Sequence, residues 1–248
     1  RTIFKLDFCP FSRFQAKFFQ EKTDDQVIFF LDNELYMLSE RDWYIDGTFF
    51  LLKNLDYQQV FIISVLYSEN NKTFTYPIAF TFMRYCKIEN YEFFYNFIKE
   101  KFHAKYGFDL KPRCARMDCE SAIISSIKKS FGNNQKIRLC TIHIQRSWWK
   151  KFNSLIGKKR YIKHVILRKI WHIINGLFYL PINCIAPVFE YCQLQKNLLS
   201  KPTQKKVDEF LYYLLKNYFS ENSFYHVSYW SYYSDISELS EFNISSNT

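Results

Sequence analysis

Residues 43–50, Trp-Tyr-Ile-Asp-Gly-Thr-Phe-Phe, set a single carboxylate, Asp46, among four aromatic residues and an isoleucine. A run this apolar reads as a strand with one buried face, and a strand that hosts an acid needs neighbours to cover it. Asp-Gly between apolar residues is also the strongest short hairpin signal, so on these eight residues alone a turn is the plainer reading. The downstream pattern favours the strand. Two more apolar runs at 60–66 and 74–82, separated by polar breaks at 53–57 and 68–72, complete three strands on short loops, an antiparallel meander.

The order continues in the same sense. Ile88, Tyr91, Phe94, Tyr95, Ile98 and Phe102 recur at spacings of three and four, which predicts a helix over 88–106 closed by Gly107. A fourth strand is expected at 113–117 with Asp118 at its C-terminal end, then a helix over 121–131, a strand at 137–140 and a helix opening at His143. Ahead of the meander, 27–31 reads as a short strand and 33–39 as a helical turn burying Leu35 and Leu38, while 1–26 is Phe-rich without a period and receives no assignment. Beyond Gly157 helical spacing returns at 161–178, 186–199 and 204–219, punctuated by Pro181, Pro187 and Pro202. The expected organisation is an unassigned segment 1–26, an α/β core 27–156, an all-helical insertion 157–233 and a polar tail 234–248.

Hydrophobic residues make up 48% of the 248 and aromatics 21%, which excludes disorder over most of the length. No run reaches the roughly 18 apolar residues of a bilayer span, and no signal peptide opens the sequence. A start on Arg1 and a polar end lead us to read it as a fragment. The seven cysteines, odd in number and never paired as Cys-x-x-Cys, fit reduced and mostly buried thiols rather than a disulfide framework.

Charge is more informative once located. Between Glu120 and Glu190 there is no acid, yet thirteen of the 34 basic residues lie there, and the rest of the chain is slightly acidic on balance. All of the excess positive charge behind the net +10 therefore sits in one segment, as a polyanion partner would require. A charge run is more often a plain solvated helix face, and several of the interleaved aromatics Trp148, Trp149, Tyr161 and Trp171 must be core. Lys150, Lys151, Lys158, Lys159 and Arg160 are the expected sequence-independent contacts to DNA backbone.

Two-metal phosphoryl transfer needs carboxylates converging from different strands, because hard divalent cations take oxygen ligands. Asp46 and Asp118 are the candidates, provided the first and fourth strands are neighbours. Alone, Asp118 is more simply a loop residue or helix N-cap. Cys140-x-x-His143 has the spacing of half a zinc site, with no obvious second pair to reach the four ligands of a structural zinc. A buried hydrogen-bonded pair without metal is the expectation, and zinc completed by distant residues the alternative.

The element order resembles a ribonuclease H-like fold, a mixed sheet flanked by helices. Trp43-Tyr-Ile-Asp46-Gly47-Thr48-Phe49, Tyr76-Pro77-Ile78-Ala79-Phe80, Met117-Asp118-Cys119-Glu120-Ser121-Ala122 and Cys140-Thr141-Ile142-His143 resemble, in order and spacing, the central domain of Mutator-like element (MULE) transposases. The resemblance implies a DDE-type transposase in the nucleus, acting on DNA with Mg²⁺ or Mn²⁺ held by Asp46 and Asp118, and is compatible with a homo-oligomer on the transposon ends. It gives Cys140 and His143 a local structural role. It also implies a third acid, a glutamate a few residues past an Asn-rich stretch that 243–248 resembles. That acid is expected beyond Thr248, Glu190, Glu238 and Glu241 being left unassigned, and without it the fragment should be inactive. The alternatives are a domesticated DNA-binding protein that keeps the fold without the chemistry, and a ribonuclease H-like nuclease unrelated to transposition.

Overall fold

The computed structural model describes residues 18–49, 56–70 and 72–233. The chain forms two compact units, 1–138 and 139–248. The unassigned residues 1–17 and the expected tail 234–248, with Glu238 and Glu241, lie outside the described residues.

The first unit is built on a mixed sheet. Three strands, β3 (Asp42–Phe49), β4 (Gln59–Glu69) and β5 (Lys72–Met83), form the expected antiparallel meander. Helix α1 (Ile88–Tyr106) follows and ends on Gly107, whose φ of 77° is the left-handed conformation that glycine adopts without a Cβ penalty. Next come β6 (Cys114–Met117), α2 (Ser121–Phe131) and β7 (Ile137–Leu139). An added hairpin, β1 (Phe18–Lys22) and β2 (Gln26–Leu31), extends the other edge, so that the strand order is β1-β2-β5-β4-β3-β6-β7. Thr23 closes that hairpin, its hydroxyl accepting from the Gln26 N–H at 3.1 Å.

Alternation along β3 and β4 decides the two faces. Trp43 and Ile45 are buried beside Val65, Ile63 and Phe61 of β4. Against this face α1 lays Tyr91, Phe94 and Tyr95, with Phe61 at 4.9 Å from Tyr91 and Trp43 at 6.4 Å from Tyr95, ring centre to ring centre. Trp43 also donates its indole N–H to the Leu38 carbonyl at 2.7 Å, which ties in the 3-10 turn Leu35–Leu38. Asp42, Tyr44 and Asp46 point to the opposite face. Pro77, inside β5, lacks the N–H a ladder needs, and the β4–β5 register slips beside it, between Ile63 and Ser64.

The second unit is helical. Helix α3 (Thr141–Ile156) opens it and breaks at Gly157, with φ 85°. Then come α4 (Lys158–Lys163), α5 (Val165–Gly176), α6 (Ile185–Lys196) and α7 (Lys201–Leu214), which continues into a π turn, Leu215–Phe219. The single helix expected over 161–178 is interrupted at His164, whose backbone is extended. Helix α3, read from the sequence as the end of the α/β core, belongs to this unit because its apolar face packs against α7. Phe152 meets Phe210 at 5.0 Å, and Trp148 stacks on Phe178 at 4.8 Å. Among the described residues no helix is long and apolar enough to cross a membrane.

Candidate functional site

In the sheet, β3 and β6 run parallel with Asp42 opposite Cys114, Trp43 opposite Ala115 and Tyr44 opposite Arg116. Asp46 stands two residues past Tyr44, and Asp118 stands two residues past Arg116. Continued two residues past its last pair, this register would bring Asp46 on β3 and Asp118, just beyond the end of β6, to one level, on segments that leave strands about 4.8 Å apart. Strand β3 passes straight through Asp46 and Gly47, paired to Ile62 and Phe61 of β4, so the Asp-Gly step is strand and not turn. Alternation places Asp46 on the face of Asp42 and Tyr44. It is exposed there and makes no ion pair or side-chain hydrogen bond among the described residues. Asp118, one residue beyond β6, is half-buried.

An ion-pair staple holds this register. Asp42 accepts from Arg113 Nε at 2.7 Å and from Arg116 Nε at 3.1 Å, and the Arg116 guanidinium also lies 6.0 Å from the centre of the Tyr44 ring. Partial burial pushes the Asp42 carboxyl up, but the hydrogen bonds and charges of the two arginines outweigh it and leave it below the usual carboxylate range.

Sequence reasoning missed a second layer beneath the acids. Gly47, next to Asp46, lies against the Gln59 side chain so closely that a Cβ there would come within 2.2 Å of Gln59 Nε2. Gln59 is 1% exposed, and its Oε1 accepts from the Tyr91 hydroxyl at 2.7 Å and, weakly, from the Cys86 thiol at 3.5 Å. Tyr91 in turn meets Glu120 Oε1 at 3.0 Å. Burial pushes the Glu120 carboxyl above its usual range, the Tyr91 hydrogen bond opposes that, and the charge of Asp118 adds to it. Burial likewise raises the Tyr91 phenol, with the Glu120 charge second. Glu120 stood inside the quoted motif, but nothing along the chain signalled that it meets Gln59.

In the second unit, Cys140 caps α3 and its carbonyl accepts from the N–H groups of His143 at 3.1 Å and Ile144 at 3.2 Å. The Cys140 sulfur and a His143 ring nitrogen lie within 4.8 Å of each other, so the pair could offer two of the four ligands a structural zinc takes. The five predicted DNA contacts differ in availability. Lys150, Lys158, Lys159 and Arg160 are exposed, the last three on α4, which buries no side chain. Lys151 is engaged instead, paired with Glu209 at 3.1 Å and lying over the Tyr213 ring.

No protein-family model matches this chain, and no curated protein matches it either.

Proposed function

We propose that the chain is the catalytic core of a DDE-type DNA transposase of the Mutator-like class, built on a ribonuclease H-like sheet. The observation that carries this reading is the parallel pairing of β3 with β6, the strand that carries Asp46 and the strand that ends one residue before Asp118. The wider topology supports it, because the first strand of the meander is also the neighbour of the fourth, as the ribonuclease H-like reading requires. The donor set suits Mg²⁺ or Mn²⁺, since both residues offer carboxylate oxygens and Asp46 faces solvent. Such ions, when bound, supply Lewis-acid stabilisation of charge at a phosphodiester and lower the pKa of water.

The chain's own part is to present the two carboxylates from a rigid sheet and to hold DNA backbone with Lys150, Lys158, Lys159 and Arg160. The products are a strand cleaved by water, and then a freed 3′-hydroxyl joined to target DNA. In a protein extended past Thr248, Asp46→Asn or Asp118→Asn is expected to abolish Mn²⁺-dependent strand cleavage while leaving DNA binding intact. Cleavage at the wild-type rate in either variant refutes the assignment. The exposed basic surface of α4 favours a second reading, a transposase-derived DNA-binding protein without catalysis. Salt-sensitive DNA binding with no cleavage by the extended protein would identify it.

A further inference from the structure

On the inner side of the sheet, three side chains without a part in the metal chemistry connect the segments that carry the two acids. Gly47, one residue past Asp46, rests on Gln59, whose amide meets Tyr91, and Tyr91 meets Glu120, two residues past Asp118. Gln59 and Tyr91 are 1% and 0% exposed, so this contact is sealed from water.

Tyr91 has one hydroxyl hydrogen and two acceptors in reach, at 2.7 and 3.0 Å, while Gln59 Nε2 is a buried donor with no acceptor. Turning the Gln59 amide over resolves the competition for the hydroxyl hydrogen, because Nε2 then donates to Tyr91 Oη and the Tyr91 hydroxyl donates to Glu120. The result is a directional strut, Gln59 to Tyr91 to Glu120.

We propose that Tyr91 is a positioning residue, and that its hydroxyl, clasped between Gln59 and Glu120, fixes the spacing of Asp46 and Asp118. The proposal rests on the metal-site reading above. It also gives glycine at 47 a role, because the backbone there is ordinary strand and a Cβ would force the Gln59 side chain to shift.

The test is Mn²⁺ affinity of the whole protein, measured by electron paramagnetic resonance of the free ion well below each variant's unfolding midpoint. Tyr91→Phe and Glu120→Ala, which break the strut, are expected to bind Mn²⁺ about ten- to a hundredfold more weakly, the usual cost of losing a group that orients metal ligands. Glu120→Gln, which still accepts from Tyr91, is expected to bind as wild type. A lowered unfolding midpoint with wild-type affinity in Tyr91→Phe overturns the proposal. So does an equal loss in Glu120→Gln and Glu120→Ala, because the charge of Glu120 would then be what matters. Should Tyr91→Phe not fold, Gly47→Ala disturbs the other end of the strut and is read in the same way. Asp46→Asn and Asp118→Asn separate the two ideas. If they bind Mn²⁺ as wild type, the metal site itself falls, and if they weaken binding while the strut variants do not, only the strut falls.

Discussion

The carboxylate of Asp42, first residue of β3, accepts a hydrogen bond from the guanidinium of Arg116 in β6 at 3.1 Å. Arg113 takes its other oxygen, so one acid staples the strand that carries Asp46 to the strand that leads to Asp118. A carboxyl depressed in the fold contributes stability that is present above its unfolded pKa, about 3.9, and is lost as pH falls through the lower folded value. Asp42→Asn should therefore cost about 1 kcal/mol at neutral pH, a discounted figure because Arg113 is 70% exposed and its pairing is screened. It should also flatten the acid limb of the stability curve. Urea unfolding across the acid range checks this, and an acid limb of unchanged depth in the variant would remove the staple.

The basic surface predicts an uneven response to charge removal. Each phosphate contact adds about 0.9 to the slope of log affinity against log salt for duplex DNA, so Lys158→Gln, Lys159→Gln and Arg160→Gln should each lower that slope by an amount of this order. Lys151→Gln should lower it less, because its ammonium is already neutralised by Glu209. Filter binding at several salt concentrations decides the matter. Four equal reductions would mean that Lys151 leaves Glu209 for DNA, and a flat salt response would remove the phosphate-contact assignment altogether.

The thiols offer a test of packing in each unit. Burial pushes the Cys114 thiol up to about 11 and the Cys192 thiol up to about 12. A thiol raised in the fold stabilises the native state fully below its unfolded pKa, about 8.5, and that contribution is lost as pH rises toward the folded value. Native protein treated with iodoacetamide at about pH 8 should carry label on the half-buried Cys184 and none on Cys114 or Cys192. Peptide mass spectrometry reads the outcome, and rapid labelling of Cys192 would show that α6 opens.

Much of the frame could be read along the chain, because periodicity reports which face of an element is buried. The helix over 88–106 and the three meander strands appear where their apolar spacing puts them. Asp46 stood out because a charge in an aromatic run is conspicuous. The layer beneath it was invisible for the opposite reason. Gln59 adjoins an apolar run, Tyr91 counts as an apolar helix position and Glu120 looks like an ordinary acid at the start of a helix, so only the folded chain brings residues 32 and 29 positions apart into hydrogen bonds. Of the β1–β2 hairpin, β2 was expected at 27–31 and only β1 was missed, because its Phe-Phe-Gln-Glu-Lys has no alternation for a pattern to catch. Likewise, apolar spacing continues across His164, so the sequence could not mark the break between α4 and α5.

Trp148 supplies the strongest prediction for the helical unit. It is 0% exposed, stacks on Phe178 at 4.8 Å and meets Trp230 and Tyr218 edge-on, each at 5.4 Å. An interior this dense cannot collapse around a missing indole, so Trp148→Ala should cost about 3–5 kcal/mol. That is a large share of the roughly 5–15 kcal/mol that holds an ordinary domain together. Trp148→Phe, which keeps a ring in the stack, should cost less. Ile162→Ala on α4 removes a side chain that is 57% exposed and should change stability by no more than about 0.5 kcal/mol. Chemical denaturation of the three variants ranks them. A Trp148→Ala cost as small as that of Ile162→Ala would mean that the aromatic cluster is not the core of this unit.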